Sequence, residues 1–422
     1  AAYYSAINEG IGTRETLQRF ALAARLAAHT TDRERLTIQA HYAFHSSSPS
    51  LRALAETLAV RYPDEIEGYY FTGIALMQGG EYLRALAPLN KAIAMDSLKL
   101  ASAVGRCMGC EALRQVVSAY QLADSTPAAE REARRWIRLE PRSPAPWHII
   151  AELFSQMGRP TEAQAALDRA SAIDAGRREA ERLLGRAVHS IYANDFEQAD
   201  RILSVELESG STSRAIEAAW FGAISFRMQG RLNEALVAAR RNRALTLSQY
   251  PRAALPRIGA PAEAQGEAQV LYEMGRYRAA ATRFDSVSRW VLPDVASSQF
   301  FHQHVWSLAH AAGALAAAGD TTALPALIDT LEVAGPKSGL ERDRRLSHYA
   351  RGLLLAARGQ DEAAALELRR AVISWNMGYT RVNMALAKVL LRMGRAREAV
   401  TVLQPALRGS LESSNTYVSR TD

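Results

Sequence analysis

The sequence predicts an all-α chain in which about ten helical hairpins stack in series as a solenoid. Three observations predict it. Apolar residues recur at i, i+3, i+4 and i+7, whereas Val/Ile/Thr-rich runs with period-two alternation are nearly absent. Turn residues punctuate this pattern at Ser46, Gly80, Asp124, Gly158, Asn194, Gly230, Gly275, Gly319, Gly359 and Gly394, with spacings of 34, 44, 34, 36, 36, 45, 44, 40 and 35. A period of that size marks stacked supersecondary units, none of which can bury its apolar face alone. Finally, one short phrase follows most of these turns.

Taken in chain order, residues 1–31 read as an N-terminal helix, the remnant of a preceding unit. Residues 32–408 read as the array, and 409–422 as the start of a truncated following helix. The phrase first appears as Gly80-Glu81-Tyr82-Leu83-Arg84-Ala85. Asn194-Asp195-Phe196-Glu197-Gln198-Ala199 is a looser copy, and Gly230-Arg231-Leu232-Asn233-Glu234-Ala235 a close one. Gly275-Arg276-Tyr277-Arg278-Ala279-Ala280, the looser Gly359-Gln360-Asp361-Glu362-Ala363-Ala364 and the close Gly394-Arg395-Ala396-Arg397-Glu398-Ala399 follow. The Gly or Asn ends one helix, where a left-handed backbone angle is cheap. The next apolar or aromatic residue tucks under the turn. The Ala three residues later stays small because the two helices of a hairpin approach most closely there. The longer spacings predict helices extended by a turn or two.

Composition excludes several other classes. The chain has 422 residues, 48% hydrophobic and 23% charged, with 78 alanines, 26 glycines, 15 prolines and two cysteines. Collagen-like, low-complexity and disulfide-scaffold organisation do not fit that usage. No run reaches the roughly 18 apolar residues that span a bilayer; the Ala-rich stretch from Leu308 to Gly319 is too short and carries His310. The net charge is +7, and only four basic residues are lysines: Lys91, Lys99, Lys337 and Lys388. A basic total fits phosphate contacts when it clusters on one face. Here it alternates with acids, as in Arg131-Glu132-Ala133-Arg134-Arg135 and Glu341-Arg342-Asp343-Arg344-Arg345, the pattern of a solvated helix face.

These units resemble the tetratricopeptide repeat family, helix–turn–helix units with large and small residues at fixed positions. A unit begun at Ile66 gives Tyr69, Gly73, Leu76, Ala85, Leu89 and Ala92, with Ser97 where the family often has Pro. One begun at Pro144 gives Trp147, Ala151, Phe154, Ala163, Leu167 and Ala170. One begun at Thr380 gives Ala387, Leu390, Ala399, Leu403 and Ala406, with Asn383 in place of a large residue. The unit from Asp32 ends well at Pro63 but has Gln39 at the small position, and the unit ending at Pro141 is degenerate. The resemblance implies a right-handed superhelix whose first helices line a concave groove. Residues it assigns to that groove are Tyr70, Met77, His148, Glu152, Trp220, Arg227, Tyr272, Tyr349, Met384 and Lys388, with Gln265 and Arg381 beside them. Large aromatics there suit anchor roles; packing between repeats is the alternative use. The Lys and Asn set with which some family members clamp a terminal carboxylate is not evident, so an extended or helical peptide held by shape and apolar contacts fits better.

A narrower resemblance follows the order Thr31-Asp32-Arg33-Glu34-Arg35-Leu36, Arg61-Tyr62-Pro63-Asp64, Ala123-Asp124-Ser125 and Glu130-Arg131-Glu132-Ala133-Arg134-Arg135. It is similar to the arrays C-terminal to the kinase domain of bacterial eukaryotic-like serine/threonine kinases. The chain itself shows no Gly-rich phosphate loop, His-Arg-Asp loop or Asp-Phe-Gly. Both ends read as cut, implying a fragment of a longer polypeptide.

Motifs that carry chemistry are sparse. Cys107-Met108-Gly109-Cys110 has redox spacing but lies in an Ala-rich helical stretch without strands, so it reads as a pair of small buried packing residues, with a local disulfide or redox role as the alternative. His41 and His45 stand at i and i+4 without an adjacent general-base Glu, which argues against a metal site. His302 and His304 should face different sides of a helix and lie at helix ends or the surface. No nucleophile elbow, Walker loop or paired carboxylate site stands out, so no catalytic, cofactor or metal residue is assigned and the chain is not read as an enzyme.

The function expected is a protein-interaction scaffold holding a peptide or protein in the groove. One alternative is the regulatory or sensor region of a larger signalling protein such as a bacterial serine/threonine kinase. Another is a basic nucleic-acid-binding helical scaffold, which the charge alternation disfavours. The sequence leaves the compartment open between the cytoplasm and the outer face of a membrane-anchored parent.

Overall fold

The chain reverses direction at the expected turns because the backbone there enters the left-handed region. Gly80, Gly158, Gly230, Gly275, Gly319, Gly359 and Gly394 have φ between +71° and +74°, and Asp124 and Asn194 lie at +55° and +61°. Asn and Asp are the two non-glycine residues that enter this region most cheaply. Ser46 is the exception, at φ −89°, where its hydroxyl instead donates to the Tyr42 carbonyl at 2.7 Å. At the left-handed turns the next amide reaches back across the helix end: Glu81 N to Leu76 O at 2.9 Å, Arg231 N to Phe226 O at 2.9 Å and Arg395 N to Leu390 O at 2.8 Å. These bonds satisfy carbonyls that the helix terminus would leave open.

The computed structural model describes residues 14–46, 48–96, 107–173, 179–209, 211–249, 260–289, 298–377 and 380–406. Among the described residues there is no strand, and no helix is long and apolar enough to cross a membrane. The helices are α1 (Arg14–Leu26), α2 (Asp32–His45), α3 (Leu51–Arg61), α4 (Ile66–Gln78), α5 (Tyr82–Met95), α6 (Met108–Leu122) and α7 (Thr126–Leu139). Next come α8 (Ala145–Gln156), α9 (Pro160–Ile173), α10 (Glu179–Tyr192), α11 (Phe196–Ser209), α12 (Thr212–Met228), α13 (Leu232–Gln249), α14 (Ala260–Glu273) and α15 (Tyr277–Ser288). The last are α16 (Ser298–Ala317), α17 (Leu324–Ala334), the short α18 (Glu341–Arg344), α19 (Leu346–Ala357), α20 (Asp361–Ala371), α21 (Thr380–Arg392) and α22 (Ala396–Ala406). Of the sequence-derived segments, 1–13 and 407–422 lie outside the described residues.

Two compact units emerge. The first comprises Ala1–Pro146 with Val295–Phe301 and Lys337–Glu341. Within it each helix from α1 to α7 packs on the next, and α4 also touches α2 and α6. Phe20 of α1 is fully buried and stacks on His45 at 4.2 Å, so α1 covers the apolar side of α2. Gly73 of α4 is small by necessity: a Cβ there would lie 2.5 Å from Leu89 Cδ2 of α5. Within the α2–α3 hairpin Asp32 accepts from the Tyr62 hydroxyl at 2.8 Å and pairs with Arg61 at 2.8 Å, while Arg33 reaches the connection to the next hairpin, pairing with Asp64 at 2.9 Å and with Glu65. Thr31 and Glu34 form a capping box at the start of α2.

The second unit comprises Trp147–Asp294, His302–Pro336 and Arg342–Asp422. Helices α9 to α15 pack sequentially, as do α19 to α22, and α17 packs on α19. Contacts also run between first helices, α10 to α12 to α14 and α19 to α21. One apolar cluster joins Ala223, Ala235, Val270, Phe284 and Ala311, which come from five helices. The small residue of the turn phrase is fully buried at Ala163, Ala199, Ala235, Ala280 and Ala364. After Gly319 that position is Leu324, and the second helix starts there instead of two residues past the turn.

Three sequence expectations change. Of the long spacings, those from Gly230 and Gly275 contain the 18-residue α13 and the 20-residue α16, as extension predicts. The Gly80–Asp124 spacing contains residues 97–106, which lie outside the described residues, and the Gly319–Gly359 excess contains a 3-10 turn at Gly335–Ser338 and α18. Cys107 and Cys110 are not buried packing residues: both are half-buried and joined as a disulfide, because Cys107 lies just before α6 as its N-cap and its sulfur turns back over the first turn. His302 is neither terminal nor superficial. It is buried on α16, with Nδ1 2.9 Å from Asp343 Oδ2, and Trp306 Nε1 donates to Asp343 Oδ1 at 2.8 Å. The fully buried Asp343 carboxylate draws both groups inward because burial without such partners would be costly.

Candidate functional site

The first helices of the hairpins carry the residues that the sequence singles out. Tyr70 and Met77 belong to the first unit, on α4. Tyr70 is buried beside Phe71 and Phe44, and burial pushes its hydroxyl up to about 12; Met77 is half-buried. The other eight belong to the second unit.

Within the second unit a polar row runs across successive first helices. Arg227, near the end of α12, reaches Glu273, the last residue of α14: its Nε lies 2.8 and 3.0 Å from the two carboxylate oxygens, and its Nη2 also pairs with them. Both side chains are more than nine-tenths buried, at 7% and 5% exposure. Gln269, one turn earlier on α14, donates to Glu273 at 3.0 Å. Burial alone would push the Glu273 carboxyl up, but the attraction and hydrogen bonds of Arg227 and the bond from Gln269 hold it below the usual carboxylate range. Such a pair fixes register between hairpins, since losing either partner would strand a buried charge.

Next to it, Tyr272 faces the guanidinium of Arg381 from α21, whose central carbon lies 3.4 Å from the ring centroid. Tyr349 of α19 places its hydroxyl against Gly313 of α16, where a Cβ would come within 2.7 Å of it and 3.8 Å of Arg381 Nη1. His310, one turn before Gly313, is fully buried and stacks on Phe284 at 4.7 Å. Burial, reinforced by the positive charges of Arg381 and Arg227, pushes its imidazole well below the ordinary value, so it sits neutral in the row. Trp220 packs over Gly266 of the next first helix, where a Cβ would lie 3.2 Å from the indole.

The row therefore divides. Arg227 and Tyr349 are buried and join neighbouring first helices. Trp220, Tyr272, Met384 and Glu152 are half-buried, and Glu152 accepts from Gln156 at 2.8 Å. His148 and Lys388 are exposed. Beside them Arg381 is buried, and the Gln265 side chain lies outside the described residues. Sequence reasoning missed Glu273, Gln269, Gly313 and His310. A signal for Glu273 existed: counted back from their turns, Arg227 and Glu273 are opposite charges in the last turn of adjacent first helices.

The charged surface is locally paired. In the run quoted above, Arg134 pairs with Glu130 at 2.7 Å and Arg135 with Glu132 at 3.0 Å. Glu267 of α14, almost fully buried, is met by Arg240 at 3.0 Å and Arg283 at 3.2 Å from the flanking helices.

No family model and no curated protein matches the chain. Solved structures similar to it include YrrB, described as a tetratricopeptide repeat protein with an unusual peptide-binding site, at 14% identity over 45% of this chain and 91% of that one, with a TM-score of 0.28. A tetratricopeptide repeat protein from Parabacteroides merdae matches at 13% identity over 85% and 98%, TM-score 0.35. The human IFIT1 dimer with PPP-AAAA matches at 14% identity over 93% and 86%, TM-score 0.38. The all-α succession of helical hairpins is shown by the chain's own elements.

Proposed function

We propose that the chain is a protein-interaction scaffold whose array, 32–408, holds an extended or helical peptide along its first helices. The observation that carries this is the division of the second unit's row. Its inner members lock neighbouring hairpins together, while Glu152, Trp220, Tyr272 and Met384 stay half-buried and His148 and Lys388 exposed on the same helices. Half-buried aromatic and thioether side chains held by a packed backbone offer contact area at low entropic cost.

The narrower kinase-array resemblance rests largely on residues that have local work. Thr31, Asp32, Arg33, Glu34, Arg61, Tyr62 and Asp64 cap α2, hold it to α3 and reach the connection to the next hairpin. They support the hairpin order and add nothing to the case for an attached catalytic domain.

A photo-reactive amino acid at Met384 should crosslink a discrete peptide or protein from the source cell, whereas the same group at Val400, exposed on the second helix α22, should not. Equal crosslinking from both positions would contradict a first-helix binding face.

A further inference from the structure

We propose that Cys107, Cys110 and Glu140 form a thiol–disulfide exchange site that acts on small-molecule disulfides, with the Cys107–Cys110 disulfide as its oxidised form. It lies in the first unit, apart from the partner-binding row, and does not depend on that reading. Three features on different elements converge. Cys107 is the N-cap of α6, and the Cys110 amide donates to its sulfur at 3.0 Å. A sulfur at a helix N-terminus that accepts an amide N–H is stabilised as the thiolate. Both cysteines are half-buried, so a small disulfide can reach them. Glu140, past the end of α7, is 8% exposed, and a carboxylate oxygen of it lies within 4.8 Å of both sulfurs. Its Oε1 is buried and has no hydrogen-bond partner. A buried carboxylate oxygen left without a partner is costly unless it has a use.

Burial pushes the Glu140 carboxyl up, outweighing the pull of the Trp136 and Ser143 side chains the other way, and the charge of Glu111 on α6 adds to the rise. That brings its basicity closer to a thiol's and suits proton exchange with one. Asp96 is the other acid at this helix end, and its carboxylate accepts from the Gly109 amide at 3.0 Å.

The Cys107 thiolate attacks one sulfur of R–S–S–R′, forming Cys107–S–S–R and expelling R′–S⁻, which takes a proton from water. Glu140 removes the Cys110 thiol proton. The Cys110 sulfur then attacks Cys107 Sγ, closing the disulfide and expelling R–S⁻, to which Glu140 returns the proton. Two thiols of the protein are oxidised and one small disulfide is reduced to two thiols. A small dithiol resets the site by the reverse exchange.

The test uses the full chain, reduced with dithiothreitol, freed of it and mixed with oxidised glutathione, with intact mass followed over time. The wild type should form its internal disulfide with at most a transient glutathione adduct. Cys110→Ser should accumulate a stable adduct on Cys107, and Cys107→Ser should acquire one much more slowly. Glu140→Gln should form the adduct normally but close at least about tenfold more slowly, with Glu140→Asp recovering part of the rate. A Cys110→Ser chain that collects no adduct would overturn the exchange site even if the Glu140 variants fail to fold. Equal closure rates in wild type and folded Glu140→Gln would remove Glu140 from it.

Discussion

At the scale of single residues, the buried polar groups decide how stability depends on pH. His310 is neutral in the folded state because burial and two nearby arginines oppose its charge. Burial also pushes His189 and His302 down, with Asp168 and Asp343 respectively pulling the other way. A histidine depressed in this way takes up its proton only on unfolding. Its contribution to stability is therefore complete above the unfolded value, about 6.5, and is lost as pH falls from there through the lowered folded-state value. Urea unfolding near pH 7.5 and pH 5.5 should show the wild type weaker at the lower pH. His310→Leu should shrink that difference without abolishing it, since His189 and His302 remain. An unchanged difference would mean that His310 is already charged or exposed when folded. None of this was legible in the sequence, where His310 is only a break in an alanine-rich run, because the charges facing it come from α12 and α21.

At the scale of the helical element, legibility was high where local chemistry sets the structure. The turn residues at Gly80, Asp124, Gly158, Asn194 and their successors take the left-handed angles that end a helix, and nothing distant is required for that. Legibility failed where a connection does the work. The excess residues before Gly359 resemble helix extension in a spacing count but form the 3-10 turn at Gly335–Ser338 and the short α18. Cys107 was misplaced for the same reason: a cap residue looks helical in composition but points its side chain outside the helix. Helix–helix approach supplies the test at this scale. Gly73→Ala places a methyl 2.5 Å from Leu89 and should lower stability by about 1–3 kcal/mol. Gly185→Ala, on α10, meets nothing within 4 Å and should be neutral or raise stability by up to about 1 kcal/mol. Paired melts separate the two, and equal effects would mean that α4 and α5 are not in close contact.

At the scale of the whole molecule, the all-α class and the succession of hairpins follow from periodicity and repeat spacing, which are properties of the entire chain. The division of the candidate row into buried couplers and half-buried or exposed contacts does not. Arg227 and Trp220 occupy groove positions by count, yet one is sequestered by Glu273 and the other lies over Gly266. Which face of a side chain is covered depends on the neighbouring hairpin, and a single-repeat register carries no information about it. The central claim is that neighbouring hairpins of the second unit are locked through their first helices. A double-mutant cycle on Arg227 and Glu273 tests it most directly. Arg227→Met and Glu273→Leu should each cost about 3–5 kcal/mol by stranding a buried charge, and the double variant should cost far less than their sum. Small single effects, or losses that simply add, would contradict the account.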